Sequence, residues 1–412
     1  MSYFKKRAKL LFVLCIGLLV GLSGCDNSEI TNSDSSSNEE LEAVEGKTNT
    51  LDRPALSSQE MKERLQEFAE KQDRDGEAIK QKIKDLSDDQ SYFRNFILEG
   101  AIDGDQYQCS STPLDTWVNN NVYYSSFAEQ LYVAFYGIDQ FPYIYNLLYV
   151  NPREDRQAFG ENGEYTRQVY RADRSVKRFW DVDLRDVQVE SFRGAMLKDF
   201  DKVFKVVEVL WPSFPEDENA AFAQDIVDVV QEPSNPVWSF NAFAMSEGPV
   251  LVGGEDKPAQ IQMGDGIMEG MDALGFGDSA PQGILAHEMA HQVQYKLNVF
   301  ENDTISDPAE STRRTELMAD AYAAYYLGHK RGASMNWHRV EGFMQTFYNI
   351  GDCSFSSSSH HGTPNQRLAA AQFGFDLAES ADRRVSVMSA SEFLEAFDDK
   401  LPELVAPDAE ED

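Results

Sequence analysis

Two histidines four residues apart, with a glutamate directly after the first, restrict this chain more than any other feature: His287-Glu288-Met289-Ala290-His291. On a helix, residues i and i+4 project from one face, so both imidazoles can reach a single metal ion. Ile284, Leu285 and Val293 flank the pair and predict a helix that is partly buried. Two neutral ring nitrogens suit zinc. The chain holds only six histidines in 412 residues, and all lie beyond residue 286. Glu288 follows the first histidine, beside any water that such an ion activates, and is the expected catalytic base.

A catalytic zinc site needs a third protein ligand and one open position. Downstream, Glu316 and Asp320 lie four apart on a segment rich in small residues, Ala319, Ala321, Ala323 and Ala324. Small side chains let such a helix pack closely on its neighbour. Glu316 is therefore expected to ligate the ion, and Asp320 to orient a ligand histidine from behind.

The local signals around these segments predict helices. Ser279 and Gln282 fit a capping box with Pro281 in the first turn, opening a helix that runs to about Leu297. Further helices are expected over about Ser311 to Leu327 and Trp337 to Ile350, and from near Thr363. Earlier in the chain, Val237 to Met245 and Ala259 to Met263 predict short strands bounded by Gly, Pro or Asn. Val187 to Trp211 has the spacing of one long amphipathic helix. Ser57 to about Leu98 is also helical in pattern. The aromatic-rich stretch with Tyr123, Tyr124, Phe127, Tyr132, Phe135 and Tyr136 is expected to serve as core or interdomain packing.

The combination resembles the gluzincin zinc metallopeptidases, which pair H-E-x-x-H with a downstream E-x-x-x-D helix. The pattern is most similar to bacterial neutral zinc metallopeptidases. Ala286-His287-Glu288, His291 and Gln294 match one signature, Glu316-Leu317 with Ala319-Asp320 a second, and His361-Gly362-Thr363-Pro364-Asn365-Gln366-Arg367 a third. Ala290 departs from the glycine that many relatives carry, without touching a ligand. The resemblance covers roughly 185–380. It implies a cleft under an edge strand, against which a peptide substrate lies by β-augmentation. Gln260 to Met263 is the expected edge, with Asn241 to Ala244 in the same sheet. It also implies a second donor beside zinc for the oxyanion. His361 is the candidate, with His360, Tyr322 and Tyr325 behind it. Arg367 is expected to anchor its loop to a carboxylate, and His329 and His338 to be ordinary surface histidines.

The first residues form a processing signal. Lys5, Lys6, Arg7 and Lys9 precede an apolar run, Leu10 to Leu22, that is too short for a stable span. The run ends in Leu22-Ser23-Gly24-Cys25, which resembles a bacterial lipobox with Cys25 as the lipidated residue. The expected location is the bacterial cell envelope, with lipid on Cys25 holding the chain to a membrane. Cys109 and Cys353 are then the remaining pair, and a disulfide between them is expected in an oxidising compartment. The net charge of −33 excludes nucleic-acid binding through a basic surface.

The expected organisation is a lipoprotein signal peptide (1–24), a disordered tether (25–56), a mainly helical region (57–184), the zinc metallopeptidase domain (185–380), and a helix with an acidic tail (381–412). The fold class is α+β, a zincin-like domain with a small sheet and two site-bearing helices. The expected function is peptide-bond hydrolysis on a peptide or protein substrate, with cell-wall peptides a further possibility. The alternative is a binding lipoprotein with a non-catalytic metal site, against which Glu288 argues, since a structural ion needs no base beside it.

Overall fold

The computed structural model describes residues 107–108, 111–152, 157–249, 256–351, 361–380 and 386–408. The signal segment, Cys25, the tether, the helix expected over 57–98, His360 and both cysteines of the expected disulfide, Cys109 and Cys353, lie outside these residues. Twelve α-helices and a small mixed sheet make the described chain α-rich with an α+β character. No helix among the described residues is long and apolar enough to cross a membrane.

Four helices come first: α1 (Pro113–Asn121), α2 (Phe127–Tyr136), α3 (Phe141–Tyr149) and α4 (Thr166–Val176). Thr112 and Ser126 open α1 and α2 with full capping boxes, each paired with an acidic residue three positions on, which satisfies amides that have no partner within the helix. The chain then enters β1 (Gln188–Phe192), crosses through α5 (Phe200–Leu210) and α6 (Glu216–Val229), and forms β2 (Ala242–Met245). A two-residue pair, β3 (Gly248–Pro249) and β4 (Asp256–Lys257), leads to β5 (Gln260–Gly264) and α7 (Asp265–Ala273). The last five helices are α8 (Ala280–Lys296), α9 (Pro308–Gly328), α10 (Trp337–Asn349), α11 (Pro364–Ser380) and α12 (Ala390–Leu404).

The sheet has the order β1-β5-β2, with β1 parallel and β2 antiparallel to β5. The expected edge strand, Gln260 to Met263, is therefore the centre of the sheet, and Ala242–Met245 is an edge. Val189, Ile261, Met263, Ala242 and Ala244 turn into the larger core, which also takes Leu285, Met289 and Val293 of α8. Phe243 and Phe192 turn to the opposite face, where Tyr143 of α3 packs on Phe243 with ring centres 4.9 Å apart.

The single long helix expected over Val187 to Trp211 is not present. Its first part is β1, a 3-10 turn follows at Gly194–Lys198, and only Phe200–Leu210 is α-helical. Four consecutive residues of β1 are buried, so the strand is covered on both faces and shows no alternation. Gly194 is needed at the turn, because a Cβ there would lie 2.3 Å from the Pro233 carbonyl oxygen. Asp199 then caps α5 by accepting from the Lys202 amide. The expected strand over 237–245 similarly begins late, after a 3-10 turn at Pro236–Trp238.

A second apolar core gathers Leu131, Tyr132 and Tyr136 of α2 with Val203, Val207, Phe222 and Ile226. Most of the aromatic stripe is therefore packing, as expected, although Tyr123 is exposed. The larger core runs across residue 184: Leu114, Val118, Val169 and Trp180 share it with α8 and α9.

Candidate metal centre

Helix α8 is buried on nearly every side, so its polar residues must be satisfied by the protein around them. Pro281 occupies its first turn as expected, but Ser279 makes no capping bond. The Ser279 hydroxyl instead donates to the Phe276 carbonyl, and Gln282 donates to Asp278. Helix α9 starts from Asp307, which accepts from the amides of Ala309 and Glu310. It is sandwiched between α8 and α11. Close approach to α11 depends on Gly374, where a Cβ would lie 2.0 Å from the Ala321 carbonyl oxygen.

Between α8 and α9, His287, His291 and Glu316 converge. Their donor atoms all lie within 4.8 Å of one another, all three residues are buried, and the group can hold a metal ion. The two imidazole Nε2 atoms are 3.2 Å apart. His287 Nε2 is 3.2 Å from Glu316 Oε2, and His291 Nε2 is 3.4 Å from Glu316 Oε1. The rings stand at 88° to each other.

Each ring is held from behind by its other nitrogen. His287 Nδ1 donates to Asp320 Oδ1 at 2.8 Å, and His291 Nδ1 donates to Gln294 Oε1 at 2.8 Å. Both bonds leave the Nε2 atoms facing Glu316, on the side where an ion would sit. Asp320 is itself held by Arg367, whose Nε and Nη2 donate to its two oxygens at 2.7 and 2.6 Å. The carboxylate expected to anchor Arg367 is thus the same one that orients His287. Gln294 Nε2 donates to the Thr315 carbonyl at 2.7 Å, which ties the second imidazole to the residue preceding Glu316. Gln294 belongs to the quoted signature, but its role does not follow from composition. The signal for it is the i, i+3 spacing from His291, which places both side chains on one face.

Glu288 is buried beside this group, and its Oε2 makes no hydrogen bond among the described residues; the same holds for Glu316 Oε2. His361 is brought to the site, its Nδ1 standing 3.3 Å from Glu316 Oε2 with the side chain 26% exposed. Gly362 follows with φ +96, and a Cβ there would meet Leu317 at 2.9 Å, so only glycine turns the chain here without strain.

Burial pushes the Glu288 carboxyl up to about 7, against the nearby His287 imidazole. Burial also holds His291 down at about 4, with Glu316 opposing. For His287, burial works toward the neutral ring, but Asp320 and Glu316 outweigh it and raise the group to about 10. Glu316 stays well below the usual carboxylate range despite its burial, because His361, His291 and His287 surround it. Arg367 balances the buried Asp320 charge, and the raised His287 imidazole balances Glu316, so a bound cation would take the place of the His287 proton.

Besides the Ser279 cap, three sequence expectations fail here. The Tyr322 hydroxyl donates to the Ala390 carbonyl, and the Tyr325 hydroxyl accepts from the Met388 amide. Both tyrosines belong to the aromatic packing around Trp180 and Phe393 and are committed to it. His329 is buried, not on the surface: its ring packs on Phe179 and Tyr325, and Nδ1 accepts from the Arg331 amide. The side chain of His338 lies outside the described ones.

Comparison with protein-family models, with curated proteins and with solved structures returns no match to this chain.

Proposed function

We propose that the chain is a zinc metallopeptidase of the gluzincin kind, held to a bacterial envelope membrane by lipid on Cys25. One observation carries the reading. Three convergent donor atoms lie next to a buried carboxylate, Glu288, whose Oε2 makes no hydrogen bond among the described residues. Nitrogens each about 2.0–2.1 Å from a tetrahedral zinc stand about 3.3–3.4 Å apart. The separations of 3.2, 3.2 and 3.4 Å among His287, His291 and Glu316 agree with that spacing. Two nitrogens and one carboxylate leave a fourth position open, as catalytic rather than structural sites do.

When bound, the zinc would lower the pKa of water and polarise a substrate carbonyl. Glu288 takes the proton of the attacking water as the oxygen bonds to the carbonyl carbon. It then gives that proton to the leaving nitrogen as the C–N bond breaks. His361 donates to the oxyanion that develops. Asp320 and Gln294 keep both imidazoles oriented throughout.

Strand β2 presents the backbone for substrate. The Gly264 amide donates to the Asn241 carbonyl, so by alternation Phe243 and Met245 turn their backbone groups to β5. Those of Ala242 and Ala244 face away from β5. The Ala242 amide donates to Asn241 Oδ1 at 2.9 Å and the Ala244 carbonyl accepts from the Tyr295 hydroxyl at 3.5 Å, so an extended peptide pairs here by β-augmentation through the Ala242 carbonyl and the Ala244 amide. Gln292 of α8 fixes this strand to the helix by donating to the carbonyls of Met245 and Gln260 at 3.0 Å each.

The test is Glu288→Gln. Zinc content should stay near one per chain while hydrolysis of unfolded casein falls by roughly 10²-fold or more. Near wild-type hydrolysis in that variant would overturn the mechanism. Loss of zinc would mean that Glu288 is itself a ligand.

A further inference from the structure

At the other end of α8 lies a cavity of about 450 Å³, between α4, the first turn of α8, the end of α9 and the start of α10. From Glu316 to Tyr326, which lines this cavity, α9 rises by about 15 Å, so the cavity is separate from the metal centre. Its lining is unusual for this chain. Acidic residues outnumber basic ones 70 to 37, yet Arg167, Arg171 and Arg339 all line the cavity and Asp278 is the one acid among the lining residues.

Arg167 and Arg171 lie one turn apart on the same face of α4. Like charges in that arrangement repel, and neither arginine makes an ion pair among the described residues. Arg339 is engaged only in part. Its Nη2 donates to the Asp278 carbonyl at 2.6 Å, while its Nε is 4.0 Å from the Asp278 carboxylate and makes no hydrogen bond among the described residues. Gln168, on the same wall, has a buried Oε1 without a hydrogen-bond partner among the described residues. A native fold seldom leaves such an oxygen unsatisfied. Guanidinium groups recognise planar oxyanions through paired N–H donors, and the amide oxygen calls for a donor on the same ligand.

We infer that this cavity binds a small organic anion, bearing a carboxylate or phosphate group together with a hydrogen-bond donor such as a hydroxyl. The oxyanion lies against Arg167 and Arg171, and the donor meets Gln168 Oε1. A volume of about 450 Å³ exceeds what an inorganic anion fills and falls within the range of small-molecule sites. The inference does not depend on the peptidase reading, since it uses no residue of the metal centre.

The experiment is calorimetric titration of the full chain with malate, a hydroxylated dicarboxylate, and separately with glycerol 3-phosphate. Binding of at least one is expected, weakening as salt is raised. Arg167→Gln with Arg171→Gln should reduce its affinity by roughly tenfold or more. Both side chains are exposed and make no ion pair among the described residues, so the melting temperature should stay close to that of the wild type. Whichever probe binds more tightly identifies the carboxylate or the phosphate as the preferred oxyanion. Gln168→Leu is the second variant; it retains every charge and should weaken the same probe by removing the acceptor. Absence of heat with both probes, or equal affinity in the wild type, the double arginine variant and Gln168→Leu, would overturn the inference.

Discussion

Arg367 holds Asp320 through two hydrogen bonds of 2.7 and 2.6 Å in a pair that is almost wholly buried. The pair spans α11 and α9, and Arg367 also reaches the Ile350 carbonyl at 3.3 Å, at the end of α10. One guanidinium thus braces three helices behind His287. Arg367→Met should destabilise the fold by about 3–5 kcal/mol, because it leaves the Asp320 charge buried and unpaired. Adding Asp320→Asn should recover part of that loss. Urea unfolding of both single variants and the double variant, all in the presence of a chelator, measures the coupling free of any metal contribution. Additive losses would rule out the bracing role.

The ligand set predicts a pattern across three substitutions. His287→Ala, His291→Ala and Glu316→Gln should each lose bound zinc and activity together, since each removes one of three protein donors. His361→Ala should differ from all three. It stands 3.3 Å from Glu316 but is assigned to the oxyanion, so it should retain zinc while turnover falls by about 10²-fold. Metal analysis after dialysis, run beside a peptidase assay, separates the two groups. A zinc-free His361→Ala would make that residue a fourth ligand.

The metal centre is the most legible part of this chain because its chemistry is local. His287 and His291, or Glu316 and Asp320, share a face by helical spacing alone, and no tertiary information is needed to pair them. The sheet is less legible. Gln260 to Met263 gives no sign of being central, since strand order depends on what pairs with it, and β1 looks helical because both its faces are covered. Tyr322, Tyr325 and His329 mislead for a related reason. All three lie on α9 or its end, near the site in sequence, but their rings turn into packing around Phe179, Trp180 and Phe393 that only the fold assembles. Arg367 lies between these cases: its need for a carboxylate is legible, but the identity of Asp320 as that carboxylate requires α9 and α11 to be placed together.

Gln294 is predicted to position His291 without touching the ion. Gln294→Leu preserves much of the volume but removes the acceptor of the His291 Nδ1 proton and the donor to the Thr315 carbonyl. Zinc affinity should fall by about 10–100-fold. Gln294→Glu restores an acceptor for the ring and should recover part of the affinity, although it loses the bond to Thr315. Competition against a zinc-binding dye measures both. Equal affinity in wild type and Gln294→Leu would leave Gln294 with a packing role only.

Glu190 gives a pH dependence that is independent of the metal. It is fully buried in β1, its Oε2 accepts from Gln262 at 3.1 Å, and its Oε1 has no hydrogen-bond partner among the described residues. Burial raises its carboxyl from an ordinary 4.5 to about 8, against the hydrogen bond from Gln262 and the charge of Lys257. Between these two values the folded chain holds a proton that the unfolded chain has released. The folded state is therefore favoured most below the ordinary value, and this contribution is lost as pH rises toward about 8. At its steepest the loss is about 1.4 kcal/mol per pH unit. Glu190→Gln mimics the protonated carboxyl and removes the titration. Stability of the variant minus that of the wild type should be near zero at about pH 4 and should grow by a few kcal/mol by about pH 8. Urea unfolding of both proteins across that range gives the difference directly, and other carboxylates cancel from it. A flat difference would mean that Glu190 is ionised in the folded chain, with Lys257 as its counter-charge.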